Sequence, residues 1–184
     1  MNRTIKILML SDIFIFTGFG LISPILAIFI KENLIGGTIF AAGLATFIFW
    51  TTKSAVQLPL SKYVDRHDHK VTLLVIGTFV ISAVPLLYIF AESVKWIYLA
   101  QFLYGIGSGL AFPCWLGLWS TNLDKHHESF EWSLYSTFVG IGAATAAAIG
   151  ATITQFIGFK ITFTLTSIAS FAGGLTLLLL EKKA

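Results

Sequence analysis

Charge is scarce in this sequence. Only 11% of its 184 residues are Asp, Glu, Lys or Arg, against about 25% in a soluble domain. A water-facing surface cannot be built from so few charges, so lipid must be the solvent. Cys114 is the only cysteine, which excludes an intrachain disulfide and a cysteine-based metal cluster. No nucleophile–base pairing and no glycine-rich loop ending in Lys-Ser or Lys-Thr is present. The chain therefore reads as no enzyme, with no cofactor and no metal. A net charge of +3 is too small for a nucleic-acid patch. What is abundant is apolar: 56% of the residues are hydrophobic and the mean hydropathy is +0.84.

The apolar residues fall into six runs, each near the roughly 20 residues that cross a bilayer. Span 1 covers about Ile5–Ile30, span 2 Thr38–Leu60, span 3 Val71–Ala91, span 4 Val94–Trp119, span 5 Phe130–Ile157 and span 6 Ile161–Leu180. The separators are short and polar, and they leave no soluble domain or linker. The pattern predicts one all-α membrane domain over residues 1–184. Span 1 is too long for a signal peptide and carries Asp12, so it is read as retained. With the N-terminus inside, the inner segments hold Arg3, Lys6, Lys62, Arg66, Lys70, Lys125, Lys182 and Lys183. The outer loops hold only Lys31, Lys95 and Lys160. That bias predicts two cytoplasmic termini in a plasma (inner) membrane.

Within span 1, Gly18-Phe19-Gly20-Leu21-Ile22-Ser23-Pro24 returns in span 4 as Gly107-Ser108-Gly109-Leu110-Ala111-Phe112-Pro113. The offset is 89 residues (18 to 107), close to half the chain. Three spans separate the copies, so the second runs through the membrane in the opposite sense. The chain is thus predicted to be a 3+3 inverted repeat over about 5–91 and 94–180, an architecture of many secondary transporters. Pro24 and Pro113 each remove a backbone donor, and Gly18, Gly20, Gly107 and Gly109 remove bulk. Two readings stand: helices that flex against a central cavity, or small residues that permit close packing.

Between spans 2 and 3 the sequence reads Ser61-Lys62-Tyr63-Val64-Asp65-Arg66-His67-Asp68-His69-Lys70. Here the chain resembles the major facilitator superfamily, whose signature in this loop is Gly, three residues, Asp-Arg, one residue, Gly and two basic residues. Asp65, Arg66 and Lys70 match; Ser61 and Asp68 replace the two glycines, and His69 a basic residue. Gln101-Phe102-Leu103-Tyr104-Gly105 is similar to the family's fourth-helix pattern, with Gln101 where many proton-coupled members have Arg. The resemblance implies alternating access, with the 61–70 loop as a gate in which the Asp65 carboxylate accepts hydrogen bonds. It also implies a half-size unit, since members have twelve spans. Two copies with one orientation would restore the missing half as a homodimer. A separately encoded half would do the same. Gly142, Ala146 and Gly150 form a flat stripe on span 5 that suits such a helix interface or packing within one chain.

Ionisable residues inside spans are the first site candidates. Asp12 and Lys53 lie about two turns from the same membrane face on adjacent spans. They read as an ion- or proton-responsive pair beside a cavity, or as a structural salt bridge, with Lys53 also able to snorkel. Gln101 stands 89 residues after Asp12. With Gln57, Trp50, Trp115 and Thr145 it completes a modest polar and aromatic set for a substrate pathway. Glu131 suits the start of a helix. The expected function is secondary transport of a small solute, with a coupling proton or cation left open. The alternatives are a non-transporting assembly or regulatory module and one half of a two-gene transporter.

Overall fold

Seven helices arise from the six runs in the computed structural model, which describes residues 1–181. They are α1 (Arg3–Ile22), α2 (Leu26–Asn33), α3 (Ile39–Val64), α4 (Lys70–Ile89), α5 (Val94–Asn122), α6 (Glu128–Phe156) and α7 (Phe159–Glu181). Six stretches are long and apolar enough to cross a membrane, α1 and α2 together forming the first. Lys182 and Lys183, used above for orientation, lie outside the described residues.

The two prolines of the repeat behave differently. Pro24 has no N–H to return to the Gly20 carbonyl, and α1 stops just before it, with α2 resuming after Ile25. Pro113 lies within α5, which continues unbroken to Asn122. The expectation that both would weaken their helices thus meets an interruption at one only. Pro24 is exposed, whereas Pro113 is buried in a helix held by neighbours on two sides. Packing there maintains a helix through the loss of one hydrogen bond.

The helices pack in the order α3–α5–α4–α7–α1–α6, so that α5 lies between α3 and α4, and α1 between α7 and α6. Exchanging the first three spans with the last three maps this order onto itself. Every extensive helix contact joins the first half of the chain to the second. The repeated glycines sit at these crossings. A Cβ on Gly18 would lie 3.0 Å from the Thr166 carbonyl on α7, and one on Gly107 would lie 2.9 Å from the Gly77 carbonyl on α4. Gly77 and Thr166 are themselves 89 residues apart (77 to 166). Gly20 similarly meets Ala143 and Ala146 on α6, and Gly109 meets Lys53 and Val56 on α3. In lipid, helices gain no hydrophobic drive from meeting each other, so close backbone approach and interhelical hydrogen bonds take its place. Ser11 donates to the Gly173 carbonyl (2.9 Å), Thr166 to that of Gly18 (2.9 Å) and Ser167 to that of Ser82 (2.7 Å).

Two apolar clusters cap the bundle. The one at the end carrying the N-terminus includes Ile5, Leu8, Val64, Trp115 and Trp119; the other includes Ile22, Phe29, Tyr88, Ile97 and Phe163. At the latter end Ile35 pairs with Ser93 through main-chain bonds, Ile35 N–H to Glu92 O (3.0 Å) and Val94 N–H to Ile35 O (3.2 Å). At the N-terminal end the Met1 ammonium binds Asp124 and lies 3.3 Å from Glu131. Hydrogen bonding to Asp124 raises the ammonium's pKa, and the same bond lowers that of Asp124. Glu131, in the first turn of α6, also accepts the Asp124 amide (3.3 Å).

Candidate functional site

Extensive contact is absent between α1 and α5, and a cavity of about 300 Å³ opens between them. Asp12, Ile15, Phe16 and Phe19 of α1 form one wall. Facing them are Tyr104, Ser108, Ala111, Phe112 and Trp115 of α5. α3 contributes Phe49, Trp50 and Lys53, α4 adds Leu74, Thr78 and Ile81, and α6 adds Tyr135. Half of these sixteen side chains are aromatic, so the cavity offers flat apolar faces rather than a water-like lining. Tyr104 is stacked between Phe19 (4.9 Å) and Phe49 (4.4 Å) on one side of it. Trp115 stacks on Trp119 (5.0 Å) and touches Tyr135 (5.3 Å) on the other.

Two charged groups interrupt this lining. Asp12 is 8% exposed and accepts a 2.8 Å hydrogen bond from the Tyr135 hydroxyl, which ties α1 to α6. The Lys53 ammonium lies 4.4 Å from the centre of the Phe112 ring and 4.9 Å from that of Trp50. Asp12 and Lys53 share the cavity but make no ion pair; among the described residues, ion pairs occur only at the Met1 ammonium. The pairing inferred from equal depth is therefore corrected. Depth follows from sequence position, but helix rotation turns Asp12 toward Tyr135 and Lys53 toward Trp50 of its own helix and Phe112 of α5.

Other predicted residues are distributed more widely. Trp115 and Trp50 line the cavity, whereas Gln57, Gln101 and Thr145 do not. Gln101 is buried and donates to the Tyr88 hydroxyl (3.1 Å), which places it beside the apolar cluster of the far end, in the opposite half of the bundle from Asp12 and outside the cavity. The Asp65 carboxylate, expected to accept hydrogen bonds, has no hydrogen-bond or ion-pair partner among the described residues. Its amide donates to Ser61 O (3.1 Å) at the end of α3. Arg66 is exposed, and the Lys70 side chain lies over Gly117 on α5, 3.6 Å from where a Cβ on that glycine would stand. The Gly142, Ala146 and Gly150 stripe packs inside the chain, against Thr17, Gly20 and Leu21 of α1. Of the two uses left open for the stripe, it is packing within one chain that the helices make. Tyr135, Tyr104 and Ser108 also line the cavity, although they are not among the pathway residues expected from the sequence. Tyr135 carried an overlooked signal: it lies one turn beyond Glu131 on α6, which turns it toward the interior that Glu131 occupies.

Replacing Tyr135 by Phe keeps the ring contacts but strips Asp12 of its donor. The expected loss of stability is about 1–3 kcal/mol, read as a lower unfolding midpoint in detergent. The loss should shrink in an Asp12→Asn background, because coupled residues are non-additive. Additive effects would show that the hydroxyl and the carboxylate act independently.

Comparison with known proteins adds a family. A family model described as Major Facilitator Superfamily matches residues 8–184. Human vesicular acetylcholine transporter is 29% identical over 143 residues, which covers 73% of this chain and 26% of that protein. Multidrug resistance protein 1 of Bacillus subtilis (strain 168) is 28% identical over 112 residues, covering 61% of this chain and 28% of that protein. The chain thus spans about a quarter of the length of the curated relatives it matches. Among solved structures, the POT family transporter PepTSo superposes with a TM-score of 0.81 at 16% identity, over 100% of this chain and 38% of that one. That likeness is one of fold.

Proposed function

We propose, for a chain that belongs to the Major Facilitator Superfamily, that it moves a small organic solute across a membrane by alternating access, with Asp12 as the anchor for a protonated amine. The observation that carries this reading is a carboxylate in an aromatic-lined cavity between α1 and α5. Aromatic faces and one anionic group are the chemistry that recognises an organic cation. Human vesicular acetylcholine transporter is named for such a cation, a quaternary ammonium. The symmetric packing order and the paired glycine crossings support a single 3+3 inverted repeat over about 5–91 and 94–180. Lysine and arginine bias supports cytoplasmic termini in a plasma (inner) membrane.

The reading includes a second six-helix unit. α3 and α6 are the least buried spans, and they present Phe47, Trp50 and Leu58, and Phe138, Ile141 and Ile149. In the proposed assembly this face receives a second copy of the chain or a separate half, which closes the cavity. Native mass spectrometry distinguishes the two: a mass of two chains supports the homodimer, and a single chain directs the search to another half. Function is tested in liposomes containing the purified chain. Accumulation of phenyltrimethylammonium, a small fixed-charge cation, above that of empty vesicles is expected, and no accumulation by the chain with its second unit bound would overturn the reading.

The Ser61–Lys70 loop is proposed as the gate. Asp65→Asn should slow turnover several-fold while changing the binding constant of the solute little, because Asp65 lies outside the cavity. Stopped-flow exchange beside equilibrium binding checks this. Equal loss of both would count against a gating role.

A further inference from the structure

The cavity that serves as the solute site in the reading above holds two opposite charges that do not neutralise each other. The Asp12 carboxylate is held by a neutral donor, the Tyr135 hydroxyl. The Lys53 ammonium is held by neutral rings, those of Trp50 and Phe112. Neither group has an ion-pair partner among the described residues. Such partial satisfaction is unusual for Asp12, which is 8% exposed, because removal of a charge from water carries a penalty of several kcal/mol; Lys53 is half-buried, and a cation over a ring recovers about 0.5–2 kcal/mol. Opposite charges lining one low-dielectric cavity attract strongly. Here they stand on helices that each fix them to a different neighbour, Asp12 to α6 and Lys53 to α5.

Resting on that reading, we infer that the transported solute is amphoteric: an amine and a carboxylate carried on one apolar, preferably aromatic, body. A singly charged amine at Asp12 leaves the lysine unmatched and repelling it. A singly charged acid at Lys53 leaves Asp12 in the same position. A solute with both groups satisfies both walls at once and leaves the filled cavity neutral. Its body meets Phe16, Phe112 and Trp115, while the Ser108 and Thr78 hydroxyls offer further hydrogen bonds. A volume of about 300 Å³ lies at the lower end of ligand sites and limits the solute to a small molecule.

The test is isothermal titration of the purified assembly in lipid nanodiscs with two matched probe sets. One contains phenylalanine, phenethylamine and hydrocinnamate. The other contains para-(aminomethyl)benzoate, para-methylbenzylamine and para-methylbenzoate, which separate the charges further. In at least one set the doubly charged probe is expected to bind about ten-fold or more tightly than both singly charged counterparts. Lys53→Gln should erase that advantage by raising the affinity of the amine and lowering that of the zwitterion, whereas Lys53→Arg should retain it. Amines that bind as tightly as the zwitterions in both sets would overturn the amphoteric solute but leave the organic-cation reading in place. Absence of binding by every probe would overturn both. The comparison within the unmodified protein needs no variant to fold.

Discussion

Asp12→Asn is expected to abolish accumulation of an organic amine or cation by the reconstituted protein while leaving it folded. A hydrogen bond or contact to a charged partner contributes about 1.5–3 kcal/mol, which is about ten- to a hundred-fold in affinity. The structural loss is small, because an Asn side-chain oxygen still accepts the Tyr135 hydroxyl in place of the carboxylate. Binding and stability therefore separate: affinity falls and the unfolding midpoint holds. Asp12→Glu retains the charge but moves it within a cavity of about 300 Å³, so an intermediate loss is expected. Uptake of phenyltrimethylammonium by Asp12→Asn at the rate of the unmodified protein would remove Asp12 from the role of anchor.

Gly150→Ala should damage the fold more than any other single methyl added to the described helices. A Cβ at Gly150 would lie 2.6 Å from the Leu21 Cα and overlap its carbonyl oxygen. Both are backbone atoms, so only separation of α1 from α6 can make room. Overpacking of this kind costs about 1–3 kcal/mol and sometimes more. Here it falls where α6 is secured mainly by α1. The expected result is loss of the monodisperse peak in detergent or a much reduced unfolding midpoint. Gly43→Ala and Gly140→Ala are the controls, since a Cβ at either position meets nothing within 4 Å. They should be neutral or slightly stabilising, as the glycine penalty in a helix is removed. Equal behaviour of Gly150→Ala and the controls would mean that the α1–α6 crossing is looser than described.

What the sequence could and could not foretell is clearest at particular residues. Six spans were legible because a membrane segment declares itself by hydropathy alone. The 89-residue repeat was legible, and with it the idea that α1 and α5 face a common space. Azimuth was not. Asp12 and Lys53 do line one cavity, but which neighbour each faces depends on the rotation of four helices. The repeat pairs Gln101 with Asp12 across opposite halves of the membrane, and the two do lie toward opposite ends of the bundle, but only the end near Asp12 holds the cavity. Small-residue spacing at Gly142, Ala146 and Gly150 announced a helix crossing without saying whose helix. Pro24 and Pro113 carried the same local signal, and only the packing around each decided whether the helix stopped.

The cross-wise packing has a bearing on how the chain is made. α1 precedes α2 to α5 in the sequence, and its two main neighbours, α6 and α7, follow only after them. Throughout translation its serine and glycine seam, Ser11, Gly18 and Gly20, therefore lacks the surfaces that later cover it. Because the extensive contacts join the two halves, neither half buries its seam alone, and arrival of α7 is the step that covers α1 and α4 together. A premature stop codon anywhere upstream of α7 consequently strands α1 and α4 together, producing a substrate for membrane quality control rather than a smaller working unit.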